Sequence, residues 1–241
     1  MAGFDPEGVR VIACDIFGTT VDWYGGVAAQ AAGVFAGVEV ELDAGMFTNE
    51  WRDMYLPAMR RVREGEREWA YLDTLHRESL DALLESHGVA GKFDDAARAR
   101  LVRAWHLLPA WPEAAAGLAR LRRRYTLAAL SNGGFALLTR LVKAAELPFD
   151  CIVSAELARS YKPGPEVYRT AARLLDVEPA EVLMVACHGW DIDGARAAGL
   201  RTAFVERPRE KGPRRAADRA ADTESDLAAG DFNALADLLG C

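Results

Sequence analysis

The chain has 241 residues, 51% of them hydrophobic and 27% charged, with a formal net charge of −7. That length buries a sizeable core in one large or two smaller domains, and the apolar content excludes a disordered chain. The acidic balance excludes the basic surface of a nucleic-acid binder, and no apolar run approaches the ~18 residues of a membrane span.

The opening segment MAGFDPEGVRV has no basic region followed by an apolar run, so no secretory signal is expected. Residues 9–14 (VRVIAC) form an apolar, β-prone run that ends at Asp15, where Gly18 and two threonines open a loop. Residues 26–107 hold few β-branched runs and several stretches of helical spacing, among them FTNEWRDMYLPAMRRV and WAYLDTLHRESLDALLESHG. About four helices are expected there, with Asp43 and Asp94 as N-caps and Gly88 as a helix stop. From Pro112 the rhythm changes: helix 112–124, strand 125–130, helix 134–146, strand 150–154, helix 164–176, strand 181–186, helix 191–198, strand 201–205 and a closing helix 231–240. Nearly all-apolar strands alternating with helices imply parallel βαβ units covered on both faces. Residues 207–224, RPREKGPRRAADRAADTE, read as a solvated charged loop. The expected fold class is therefore α/β: a doubly wound parallel sheet from residues 1–25 and 108–241, interrupted after its first strand by a helical cap, 26–107. Cys14, Cys151, Cys187 and Cys241 show no paired spacing and are expected as free thiols in a reducing, cytoplasmic setting.

Ligands of an open parallel sheet bind beyond the carboxyl ends of its strands. The first strand delivers Asp15 there, the second Ser131 and Asn132. Tyr161 and Lys162 follow the third strand, and Cys187, His188, Trp190 and Asp191 follow the fourth. A carboxylate held against a lysine stays ionised and serves as nucleophile or base. Singly, each residue has a plainer reading. A strand-ending Asp is as often a turn residue, and a Lys before Pro is usually a solvated one. The order and register of all four together make the signal.

D-I-F-G-T-T at 15–20, L-S-N at 130–132, Y-K-P at 161–163 and W-D-I-D-G-A-R-A-A-G at 190–199 resemble the four motifs of the haloacid dehalogenase superfamily. The resemblance spans nearly the whole chain and implies that superfamily's fold, with 26–107 as its first cap. Most members are magnesium-dependent phosphohydrolases; a minority branch, the L-2-haloacid dehalogenases, breaks carbon–halogen bonds without metal. Phosphatase members place an acid two residues after the nucleophile to protonate the leaving alcohol. Here that position is Phe17, and the position of a magnesium-holding carboxylate is Cys187, a poor ligand for a hard cation. A halide leaves without protonation.

The dehalogenase branch is also similar in its D-x-Y-G-T threonine (Thr19), its W-R pair (Trp51-Arg52) and its K-P-x-x-x-x-Y (Lys162, Pro163, Tyr168). The resemblance implies Asp15 as nucleophile, with Lys162 holding it ionised and Ser131 binding the substrate carboxylate. Arg52, Asn132 and Trp190 would cradle the halide, and Asp191 would orient or deprotonate the hydrolytic water. Phe17, Leu56 and Trp190 would form apolar walls. The plainer alternatives are Arg52 as a surface residue of an amphipathic helix, the lesser of its two readings, and Tyr168 as a packing residue. Where the branch commonly carries S-x-N, this chain has Ala186, Cys187 and His188. His188 is open to hydrogen-bonding substrate, assisting the water, narrowing the pocket or bonding loop backbone.

The expected activity is hydrolysis of short 2-haloalkanoic acids to 2-hydroxy acids, with no cofactor and no metal. A small halogenated acid and a halide ion are the expected ligands, and the family resemblance adds a homodimer. Alternatives are a phosphatase acting on a small phosphorylated metabolite, a non-catalytic binding module on the same fold, and a phosphonate hydrolase. The last needs a Schiff-base lysine in the cap, where only Lys92 is present.

Overall fold

A computed structural model describes residues 4–241. Residues 1–3, part of the segment read for a targeting signal and of the expected core span, lie outside the described residues.

Six strands form one all-parallel sheet: β1 (Val11–Cys14), β2 (Thr126–Ser131), β3 (Cys151–Ser154), β4 (Val182–Ala186), β5 (Arg201–Val205) and β6 (Leu227–Ala229). Their order is β3-β2-β1-β4-β5-β6. Only apolar strands can sit in the middle of such a sheet, because helices cover both faces. Ile12, Ala13, Leu127, Ala128, Leu183 and Met184 are accordingly fully buried. Each large aliphatic side chain buried this way stabilises the fold by ~1.5–3 kcal/mol. Cys14 is in register with Ala129 on one side and Val185 on the other. The winding direction changes between β1 and β4, so a crevice opens beyond their carboxyl ends. Asp15 and Cys187 stand at those ends. The short strand β6 is not foreseen from the sequence; its three residues carry no alternation long enough to read.

Between β1 and β2 the described chain is helical: α1 (Trp23–Gly37), α2 (Ala44–Asp53), α3 (Tyr55–Arg63), α4 (Leu72–Ser86) and α5 (Asp95–Ala104). Asp43 and Asp94 do accept hydrogen bonds from first-turn amides of α2 and α5, and Gly88 follows α4 at φ +68. Five helices form rather than about four, because FTNEWRDMYLPAMRRV breaks at Met54. Pro57 has no N–H to offer the carbonyl four residues back, so one continuous helix would leave an orphan there. The later helices are α6 (Ala114–Leu121), α7 (Phe135–Ala144), α8 (Pro165–Leu174), α9 (Gly189–Ala197) and α10 (Phe232–Leu238).

Trp105 ties the helical segment to the loop after β1. Its ring meets Phe17 edge-on at 6.2 Å, stacks with Trp23 at 6.1 Å, and contacts Trp51 at 5.5 Å and His76 at 4.6 Å. Such pairs contribute beyond the area they bury. They seat α2 and its Arg52 over the crevice.

The stretch 207–224 departs from the expected solvated loop. Arg207 and Glu210 are 5% and 1% exposed. The Arg207 Nε donates to the Thr19 carbonyl at 2.8 Å and its guanidinium pairs with Glu113 at 2.7 Å. Charges enter an interior when such partners exist, and the partners come from distant parts of the chain.

Candidate active site

Asp15 leaves β1 into a tight loop whose turns are closed by Thr20 N–H to Ile16 O and Gly18 N–H to Val21 O. Gly18 takes φ +93, and a Cβ there would lie 2.6 Å from Glu210 Oε1. Three groups from three strand ends meet the Asp15 carboxylate. Lys162 Nζ donates to Oδ1 at 2.9 Å, Thr19 Oγ1 donates to Oδ2 at 2.9 Å, and His188 Nδ1 lies 3.3 Å from Oδ2. Burial by itself would raise the Asp15 carboxyl; the charges of Lys162 and His188 overcome this and hold it well below the usual carboxylate range.

Lys162 is wholly buried. Its three donors go to Asp15 Oδ1, to Asp191 Oδ2 at 2.5 Å and to the Leu130 carbonyl at 3.0 Å. Burial works against the ammonium, and the two carboxylates restore it to above its ordinary value. Asn132 fixes the lysine's backbone: Oδ1 accepts from Lys162 N–H at 2.7 Å, and Nδ2 donates to Lys162 O at 3.3 Å. Asp191 Oδ1 accepts from the Tyr168 hydroxyl at 2.6 Å. Its carboxyl is raised, by burial first and by the neighbouring Asp15 charge, against the pull of Lys162.

His188 opens α9 and stacks on Trp190, ring centroids 5.4 Å apart. Its Nε2 lies 3.0 Å from Glu210 Oε1, which also accepts from Trp23 Nε1 at 2.5 Å. Burial alone would push the imidazole down; Cys187, Glu210 and the bond to Asp15 hold it well above its ordinary value. His188 is thus a buried cation between two carboxylates.

A cavity of about 190 Å³ opens in front of this array, walled by Trp23, Arg52, Tyr55, His188, Trp190 and Glu210, with Leu56 at its edge. The Arg52 guanidinium lies over the Tyr55 ring at 4.0 Å and over Trp23 at 5.2 Å. Its Nη1 is buried without a hydrogen-bond partner, an arrangement suited to an anion.

Of the sequence-singled residues, Arg52, Leu56, His188 and Trp190 line the cavity. Asp15, Thr19, Lys162, Tyr168 and Asp191 form the bonded array behind it. Phe17, Ser131 and Asn132 are buried and are not among the cavity's walls. The Ser131 Oγ accepts from Gly133 N–H at 3.2 Å. Tyr168 spends its hydroxyl on Asp191, and both amide atoms of Asn132 are spent on Lys162. Sequence reading missed Glu210 and Trp23. Pro208 and Gly212 around Glu210 hinted at an ordered turn, and Gly212 does take φ +76.

The array does not suit the magnesium ion common in this fold family. Both Asp15 oxygens are engaged by side-chain donors, the Phe17 side chain supplies no oxygen, and the Cys187 side chain supplies sulfur.

Residues 9–199 match the family described as haloacid dehalogenase-like hydrolase. Over 203 residues the chain is 34% identical to (S)-2-haloacid dehalogenase 1 of Pseudomonas sp. (strain CBS-3), covering 83% of this chain and 85% of that protein. The solved structure of a defluorinating L-2-haloacid dehalogenase is similar with a TM-score of 0.92 and 39% identity, covering 97% and 96% of the two chains. That of the Xanthobacter autotrophicus L-2-haloacid dehalogenase, with chloropropionic acid covalently bound, gives 0.81 and 26% over 96% and 98%.

Proposed function

The chain belongs to the haloacid dehalogenase-like hydrolase family, and from that premise we propose that it hydrolyses short 2-haloalkanoic acids to 2-hydroxy acids through an ester on Asp15. The observation that carries the reading is a carboxylate held ionised by Lys162, Thr19 and His188, directly behind a cavity lined by Arg52 and His188.

The other charges lining the cavity pair off, Arg215 with Asp53, Lys211 with Asp218 and His188 with Glu210, so Arg52 is the cation that draws an anionic acid in and disfavours neutral compounds. The Asp15 oxygen on the His188 side attacks the carbon bearing the halogen from behind. A carbon–oxygen bond forms, and the carbon–halogen bond breaks with its electron pair leaving on the halide. Negative charge then grows at the halogen, where Arg52 stabilises it; charge that develops only on the way to the transition state is what lowers a barrier. The amides after Asp15 serve the substrate carboxylate, and Ser131, behind the walls, holds the turn at Gly133 beside them. Water next attacks the carbonyl carbon of the Asp15 ester and yields the hydroxy acid with inverted configuration. Asp191, its carboxyl raised toward a useful basicity, accepts that water's proton. His188, held as a cation, stabilises charge and is no base. Phe17 lies behind the walls and closes the site to competing water together with Trp190. No step runs through a metal. Residues 26–107 act as the cap that brings Arg52 to the halide.

One relative is a defluorinating enzyme, so fluoroacetate stands beside chloroacetate and L-2-chloropropionate in the substrate panel. Four free cysteines favour a reducing compartment such as the cytoplasm, and the expected assembly is a homodimer. Oxygen-18 water tests the covalent step. In a single turnover the label should enter Asp15; label appearing directly in the first-turnover product would overturn the mechanism.

A further inference from the structure

We propose that Cys187, His188 and Glu210 form a zinc-binding site against the nucleophile, and that filling it arrests the reaction. The arrest rests on the function proposed above; the site itself does not. A thiol, an imidazole and a carboxylate, all buried, offer ligand atoms within 4.8 Å of one another, the one such group of three among the described residues. This donor set suits a borderline-soft, tetrahedral cation and not magnesium.

The spacing fits. Cys187 Sγ lies 3.7 Å from His188 Nε2, which lies 3.0 Å from Glu210 Oε1. Zinc bonds of ~2.0–2.3 Å place tetrahedral neighbours ~3.3–3.6 Å apart, so these two pairs need shifts of a few tenths of an ångström, and the third, Cys187 to Glu210, closes from within 4.8 Å. A second observation points to a cation. Glu210 is 1% exposed, and its Oε2 is buried with no hydrogen-bond partner, whereas Oε1 takes both Trp23 and His188. An orphaned carboxylate oxygen beside a thiol and an imidazole is a vacant valence at the right place.

The other ring nitrogen strengthens the case. His188 Nδ1 faces Asp15 Oδ2 at 3.3 Å. Metal-binding histidines regularly donate their second N–H to a carboxylate, which orients the ring and raises its basicity. His188 and Glu210 both line the cavity, so an ion has a way in and a water has room at the fourth position. Binding replaces the Cys187 S–H and the His188 Nε2–H by bonds to zinc and releases two protons to solvent; no electron is transferred. A dication at that spot draws electron density through His188 from the Asp15 carboxylate, which weakens it as a nucleophile.

Cobalt(II) titration of the purified protein reads the site independently of turnover. Wild type should show a thiolate-to-cobalt charge-transfer band saturating at one ion per chain. Cys187→Ser and Cys187→Ala should lack the band, and the zinc response of each is scored against its own metal-free halide release. Zinc should inhibit wild-type halide release, reversibly with EDTA, and the two variants should need at least ~10-fold more zinc, as loss of one ligand implies. A wild type with no thiolate band overturns the site. Equal zinc sensitivity in wild type and both variants overturns the link between the site and the arrest. A thiolate band in a protein that releases no halide leaves the site standing and removes the proposed function instead.

Discussion

Lys162 donates to Asp191 across 2.5 Å inside a pair that is entirely shut off from solvent. The same ammonium holds Asp15 at 2.9 Å, so one cation separates two buried carboxylates whose acidities shift in opposite directions. It keeps Asp15 ionised, while burial and the Asp15 charge raise Asp191. Replacing Lys162 by Met should leave Asp191 buried with no cation beside it and Asp15 with His188 alone. The expected loss is ~3–5 kcal/mol of stability, with halide release gone. Urea unfolding and halide assays check both; a variant as stable as wild type would contradict the pairing.

Arg52 should matter through charge and shape together. Arg52→Leu removes the cation from the cavity wall and should lower kcat by roughly 10²–10³-fold with little change in stability, the scale of one lost transition-state contact. Arg52→Lys should recover only part of this. A compact ammonium cannot lie flat over Tyr55 and Trp23 while presenting a free donor to the cavity. Full recovery by lysine would show that the stacked geometry is irrelevant.

His76 supplies a pH dependence. It is buried beneath Trp105, and burial, against the pull of Asp73, lowers its pKa to about 3. Between about 6.5 and 3 the unfolded chain binds a proton that the folded chain refuses. Stability should therefore fall with pH across that window, by at most ~1.4 kcal/mol per unit from this group. His76→Phe should flatten the slope measured by urea unfolding between pH 7 and pH 5. An unchanged slope would mean that His76 is not the group responsible.

Gly18→Ala tests the close packing under the loop that follows Asp15. The new Cβ would need φ +93 and would stand 2.6 Å from Glu210 Oε1, an atom already fixed by Trp23 and His188. A destabilisation of ~1–3 kcal/mol is expected from the strained backbone alone, with lower activity because Glu210 must move. Calorimetry and halide release report the two effects separately.

Tyr168→Phe removes the hydroxyl that donates to Asp191 at 2.6 Å and keeps the ring packing. A cost of ~1–3 kcal/mol is expected for a buried carboxylate left short of a donor. No change in unfolding would mark Tyr168 as a packing residue only.

The alternation of apolar strands with helices determined the sheet and its parallel sense, because that pattern is local and each strand must be apolar on both faces. The residues at strand ends were legible for the same reason: register along a short chain segment places Asp15, Ser131 and Cys187 at the carboxyl edge of the sheet without any knowledge of packing. What only the tertiary structure decided is the company these residues keep. Glu210 sits in a run of mixed charge that looks solvated, and it becomes buried by partners 187 and 22 residues away. Asn132 turned from the cavity to the Lys162 backbone, and Ser131 lies behind the walls. Burying a charged or polar side chain is favourable only where several distant groups meet it at once, and no local pattern along the chain encodes that meeting.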